Sequence, residues 1–588
     1  MTVNHMYKRL PGWAMVACLA LVAPLLAHAD PAAGSGTAAY AAVTTRIFDE
    51  YYRANPTAAT DLGLHQYDGQ LEDYSRAAVD REVVEIGGQI AALSAIDPAT
   101  LSTDDRLDRE WLLGWLEARR LYLTDVRAWA RDPDVYASGI ANSAFSLIKR
   151  DYAPAERRMR SMIERARAMP AALAAARANL VNPPRVYVEI AIEQIDGTQD
   201  LFRTAVVDAF AEVKDARLQA ELKAANDAVI AALGDYKAWL QKEVLPVAKG
   251  QYAWGADLYA RMLRATELID TPLPQLLEIA ERDLKRNQAA FVETARRIDP
   301  TKSPLDVLAD VQRDHPAPDR LLSTTQDSLD ALGRFMTDRR IVTIPPGSPP
   351  AQVRETPPFM RATTTASMDT PGPFEQKQMR GYYNMTPPDP SWTREQIDEF
   401  MTVWYYAAIS NTSVHEVWPG HYLQFLYTPL YPTMPRKAIY SNANVEGWAH
   451  YTEEMVIDEG WKSDDPRYRL AQLQDALLRD ARFIVGIRMH TQGMTIEEAE
   501  DFFVDEGYQP RPVAEIETRR GTSDALYGYY TLGKLAILKL RDDYRRARGD
   551  AYSLGEFHDR FLEVGPLPLP LVRERMLGNR GPLFPGAD

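Results

Sequence analysis

The chain has 588 residues, with 67 Lys and Arg against 82 Asp and Glu, and 46% of its residues are hydrophobic. This is the composition of an ordinary folded protein and excludes a disordered or fibrous one. The length suits roughly three to four domains, although large helical enzymes often form one unit, and the acidic balance argues against nucleic acid or an anionic membrane as partner.

In chain order, the first segment stands apart. Lys8 and Arg9 precede an apolar run from Trp13 to Ala27, and Ala27-His28-Ala29 comes just before Asp30. A positive start, a short apolar core and an A-x-A site predict a secretory signal peptide over residues 1–29. The run is short for a bilayer span. A lipoprotein would use Cys18 instead, but much of the apolar run lies after it. The expected location is therefore exported, periplasmic or secreted, with no stable membrane span after cleavage. Cys18 is the only cysteine, so a cleaved chain has no disulfides, no thiolate catalysis and no Cys-based zinc site. Losing Lys8 and Arg9 leaves 65 basic residues against 82 acidic ones, a net charge of −17.

From about 37 to 340 the apolar spacing predicts mainly helices, for example over 154–180 and 217–245. Breaks are expected at Asn182-Pro-Pro184, Pro272-Leu-Pro274 and Asp314–Pro318. Residues 341–393 change character. The first part is proline-rich and extended, and a small sheet or hairpin is expected at about 360–386, around Pro371-Gly372. Helical patterns resume after Trp392 and run to about 547. The tail, with Pro566, Pro568, Pro570 and Pro582, reads as mostly irregular. The fold class is predominantly α, with an N-terminal helical region (30–340) and a second region (341–588) in one compact body.

The second region holds the chemistry. Four of the nine histidines lie between 415 and 490. Residues 411–425 read NTSVHEVWPGHYLQF, so His415 and His421 are six apart with Pro419-Gly420 between them. On an ideal helix six residues rotate about 600°, which leaves the second side chain about 120° from the first. A straight helix would not let both reach one ion. A Pro-Gly break could turn His421 back, because proline interrupts the hydrogen-bond ladder and glycine accepts unusual dihedrals. The alternative is a helix end with two unrelated histidines. ANVEGWAHYTEEM then places Glu446, His450 and Glu453 on one helical face, and a glutamate on a following helix is a usual third zinc ligand. The alternative for these glutamates is a solvated helix surface.

HEVWPGHYLQ followed by EGWAHYTEE resembles the bacterial DUF885 family, large helical proteins with a His-Glu-x-x-Pro-Gly-His motif and then Glu-Gly-Trp-Ala. RFIVGIRMHTQGMT and YYTLGKLAILKLR are similar to two later segments, and weaker similarity covers most of the chain. His450, Gly486 and the stretch Thr522–Ala525 depart from the family pattern. The resemblance implies a zincin-like body and a gluzincin-type zinc metallopeptidase, with Zn2+ held by His415, His421 and Glu446 and a position left open for water. It gives Glu416 the role of general base. Tyr530 and His490, with Tyr529 in reserve, are candidates to stabilise an oxyanion. Arg482 would hold a substrate carboxylate or pair with a structural acid. Extended peptides could add to a sheet edge at 363–368 or 380–385, with Tyr382 and Tyr383 lining a cleft; the alternative is a structural hairpin.

The expected function is that of an exported zinc peptidase acting on oligopeptides. An amidase or other carbonyl hydrolase would use the same ligand set. A non-catalytic binding protein is a third possibility, against which the retained Glu416 speaks.

Overall fold

The computed structural model describes residues 31–585 except 358–360, 362–364 and 378; the expected signal segment 1–29 and residues 363 and 364 of the proposed edge lie outside the described residues. Helices dominate, and one small sheet is described. None of the described helices is long and apolar enough to cross a membrane.

The main core runs from Tyr40 to Phe584 and draws on residues from both sides of position 340. The helix Leu273–Ile298 shows how it is built. Leu276, Ile279, Ala280, Leu284 and Phe291 form a helical stripe and are buried, as an amphipathic pattern dictates. That stripe packs along the helix Pro466–Thr491. The helices between Asp134 and Trp239 enclose a second core of their own, running from Tyr136 to Val244. A third, smaller one links Ala481, Val485 and Met489 to Phe503, Ala514 and Tyr527.

The sheet has three strands, β1 (Gln352–Glu355), β2 (Ala366–Asp369) and β3 (Tyr382–Met385), in the order β1-β3-β2. β3 pairs parallel with β1 and antiparallel with β2. The hairpin expected near 360–386 is thus present, and β1 adds a strand before it. Four residues flanked by Pro349, Pro350 and Pro357 carry too little pattern to tell a paired strand from an extended loop. The tail differs more. Leu554–Val564 and Leu569–Leu577 are helices. Pro570 sits in the first turn of the second one, where the missing N–H costs nothing, so these prolines start a helix instead of breaking one.

Two glycines set the closest helix approach. Where the helices Asn442–Asp458 and Tyr529–Arg548 cross, a Cβ on Gly533 would stand 1.8 Å from the Ala443 carbonyl oxygen, and one on Gly447 would stand 2.5 Å from Gly533 Cα. Gly533→Ala is therefore expected to destabilise the protein by about 1–3 kcal/mol through overpacking. Gly88→Ala, at a helical site with open space around it, should leave stability unchanged or raise it by up to about 1 kcal/mol. Thermal unfolding of the two variants checks the opposite signs.

Candidate metal centre

The two histidines lie on separate helices. The first helix, Tyr406–Glu416, ends right after His415, and the second, His421–Tyr427, begins with His421. The chain between them reverses through Val417 and a cis Trp418–Pro419 bond. Gly420 N–H donates to the Val414 carbonyl at 3.0 Å. A Cβ on Gly420 would lie 1.9 Å from the His415 carbonyl oxygen, so only glycine fits this approach. The turn brings the two imidazoles to 4.7 Å between ring centres. The sequence left two options for Pro419-Gly420, a break that returns His421 or a helix end with unrelated histidines. The helix does end there, and the histidines still meet.

The helix Asn442–Asp458 supplies the third group. Trp448 Nε1 donates to the Pro419 carbonyl at 2.8 Å, and Gln424 Nε2 donates to Asn444 Oδ1 at 2.8 Å. These bonds fasten the turn and the His421 helix to the helix of Glu446. Glu446 Oε2 then lies 3.3 Å from His421 Nε2 and 3.5 Å from His415 Nε2. Ligand atoms of all three residues fall within 4.8 Å of one another. Glu446 Oε2 is buried and, among the described residues, makes no well-formed hydrogen bond. Two imidazole nitrogens facing an orphaned carboxylate oxygen are a donor set that fits a divalent cation.

Behind His415 lies Glu453, fully buried. Its Oε1 accepts from His415 Nδ1 at 2.7 Å, and Arg479 Nη2 reaches the same oxygen at 3.1 Å. Its Oε2 accepts from Asn411 Nδ2 and His450 Nδ1, each at 3.3 Å. Burial pushes the Glu453 carboxyl up, but the Arg479 charge and the histidine contacts outweigh it and hold it well below the usual range. An ionised Glu453 makes His415 Nδ1 the donor on that side, so Nε2 is the atom that gives up its proton when a cation binds. Sequence reasoning gave Glu453 and His450 no role and did not single out Arg479. The only signal was the seven-residue spacing of Glu446 and Glu453, which puts them on one helix face.

Burial also pushes Glu446 up, and the His421 and His415 charges more than offset it, holding the carboxyl well below its ordinary value. For His415, burial and Arg479 push down. The nearby Glu446 carboxylate and the hydrogen-bonded Glu453 prevail and carry it up to about 9.

The other expected residues divide. Tyr530 stands at the site, its ring 6.3 Å from that of His415. Burial and the Glu446 charge push its hydroxyl up, so it remains a neutral O–H donor. Glu416 closes the first helix and is partly buried. Its charge reaches Tyr383 on β3. His490 lies three turns beyond Arg479 on the same helix, where its Nε2 donates to the Gly521 carbonyl at 2.8 Å and its ring packs against Tyr252 and Trp254. It supports the segment around Gly521 instead of facing the triad. Arg482 pairs with Glu517 through two bonds of 2.6 and 2.7 Å, both side chains buried, so it holds a structural acid. Tyr383 is fully buried and lines no cleft, because β3 is the central strand. Tyr382 is partly exposed but stacks under Arg354, 3.9 Å from its ring centre. For the same reason 380–385 is no sheet edge; β2 is, and it packs beside the His415 helix.

A family model described as "Bacterial protein of unknown function (DUF885)" matches residues 56–576. The chain belongs to the DUF885 family. This DUF885 chain is also similar to solved structures. One, described as a "putative lipoprotein of unknown function" from Shewanella oneidensis, is 26% identical with a TM-score of 0.77, the match covering 92% of this chain and 99% of that one. Another, described as a "putative lipoprotein" from Colwellia psychrerythraea, is 17% identical with a TM-score of 0.78 over 93% and 98% of the two chains, and shows the shared fold. No curated protein matches the chain.

Two outcomes follow for this DUF885 site. Glu453→Gln should weaken divalent-metal affinity about 10–100-fold, as loss of an outer carboxylate does elsewhere; competition against a chelator measures it. Because His415 is protonated below about pH 9, a cation must displace that proton. At least one proton should be released per ion at pH 7, and affinity should fall as pH drops. Calorimetry in buffers of different ionisation enthalpy reads the count.

Proposed function

We propose that the protein is an exported zinc-dependent peptidase that hydrolyses oligopeptides. The observation that carries this reading is the convergence of His415 Nε2, His421 Nε2 and Glu446 Oε2, with Glu453 orienting His415 from behind. A divalent cation held there, zinc by its imidazole and carboxylate donors, supplies a Lewis acid that polarises a carbonyl and lowers the pKa of water.

The chain's own residues do the rest. Glu416, next to His415 in sequence, takes the proton of the attacking water and delivers it to the leaving amine. The Tyr530 hydroxyl oxygen lies 3.4 Å from Arg520 Nη2. Accepting from that guanidinium leaves its own proton free to meet the developing oxyanion. β2 is an edge strand beside the His415 helix, a position that suits an extended peptide running alongside the sheet. The ligands are nearly enclosed, with His415 only 7% and His421 8% exposed, which supports short peptides over folded proteins. The relatives described as lipoproteins support a place in the cell envelope, reached through cleavage after Ala29 or lipidation at Cys18; the mass of the mature chain distinguishes these.

The zinc-loaded protein should release amino acids or short peptides from a peptide library. Glu416→Gln should lower that rate at least about 100-fold while zinc content stays at the wild-type level. Cleavage of simple amides but no peptides would favour an amidase, and full activity in Glu416→Gln would remove the proposed mechanism.

A further inference from the structure

Three arginines approach Tyr530, and two are committed to buried carboxylates. Arg479 serves Glu453, and Arg482 makes its fork with Glu517. Arg520 differs. Its side chain is 37% exposed. Its Nη2 lies 3.1 Å from Asp524 Oδ2, 3.4 Å from the Tyr530 hydroxyl and 3.5 Å from the Tyr529 hydroxyl, and its Nε lies 3.3 Å from the same Asp524 oxygen. Its Nη1 has no hydrogen-bond partner among the described residues. The Tyr529 hydroxyl donates to Asp524 Oδ2 at 3.2 Å. One oxygen of one carboxylate thus receives almost everything the cradle offers. A guanidinium is built to hold two oxygens through parallel bonds. Asp524 itself is 33% exposed, so it is not locked in place as Glu517 is.

The cradle lies close to the triad. The Arg520 guanidinium carbon is 6.0 Å from the Tyr530 ring centre, and that ring is 6.3 Å from His415. An extended chain advances about 3.3–3.6 Å per residue, so the whole gap spans fewer than about four extended residues.

From this we propose that Arg520, with Tyr529, holds the free C-terminal carboxylate of a peptide whose scissile bond lies one to three residues upstream. Asp524 is the internal carboxylate that the substrate displaces. The protein is then a carboxy-exopeptidase of short peptides. This rests on the peptidase reading of the same site, and the experiment separates the two.

The probes are acetyl-tetra-alanine as the free acid and as its C-terminal amide. Binding is measured first on the metal-free protein, where no metal-assisted hydrolysis intervenes. The acid should bind at least about tenfold more tightly than the amide, as expected for a charge-assisted contact. Arg520→Gln should abolish that preference, and Arg520→Lys should reduce it. Asp524→Asn should increase it by removing the competitor. The opposite signs of the last two variants cannot come from unfolding. Equal binding of acid and amide, or a preference that survives in Arg520→Gln, overturns the proposal. The zinc-loaded protein is then given both peptides. Release of one to three residues from the acid supports the proposal. Acid-selective binding without hydrolysis removes the peptidase reading and leaves the carboxylate site standing. Equal hydrolysis of acid and amide does the reverse.

Discussion

A carboxylate with no exposure to water depends wholly on its partners, and Glu453 is in that position. Taking such a charge out of water costs several kcal/mol unless hydrogen bonds and counter-charges offset it. Here they arrive from three helices: Asn411 and His415 from one, His450 from its own, and Arg479 from a third. The packing of those helices satisfies Glu453. The same arrangement points His415 Nε2 at Glu446. The fold and the candidate centre therefore share one electrostatic constraint, and the ligand geometry is a by-product of satisfying a buried charge.

Close backbone contact does the complementary work. Gly420 lets the turn fold back onto the His415 carbonyl, and Gly447 lets its helix lie against Gly533. The first contact aligns the two imidazoles, and the second brings the helix of Tyr530 against the helix of Glu446. A Cβ at any of these positions would clash with backbone atoms, so both contacts require glycine. Around this rigid centre the arginines grade from buried and doubly paired, as Arg482, to part-exposed and loosely held, as Arg520. That gradient marks the change from scaffold to a surface where a ligand can compete.

Much of this was legible beforehand. Helical periodicity gave the fold class, and the change in composition after residue 341 located the sheet. His415, His421 and Glu446 were readable as a candidate ligand set, and the structure brings their ligand atoms within 4.8 Å of one another. Other features were not. The four residues of β1 carry no period of their own. The tail prolines looked like breakers because a proline in the first helical turn and one in a loop read alike. Tyr382 and Tyr383 alternate as a strand requires, but alternation does not reveal whether that strand is central or at an edge.

What the sequence determined by itself was the helical fold class and the helix face that Glu446 and Glu453 share. Rotation per residue is a local property, so Glu446 and Glu453 had to point the same way. What the tertiary structure alone decided was which partner each group meets. Glu453 faces His415 from 38 positions away, His490 meets the Gly521 carbonyl, and Arg482 is claimed by Glu517 while Arg520 keeps a free edge. Those pairings follow from how helices pack and which buried charges must be neutralised, and no local pattern in the chain encodes them.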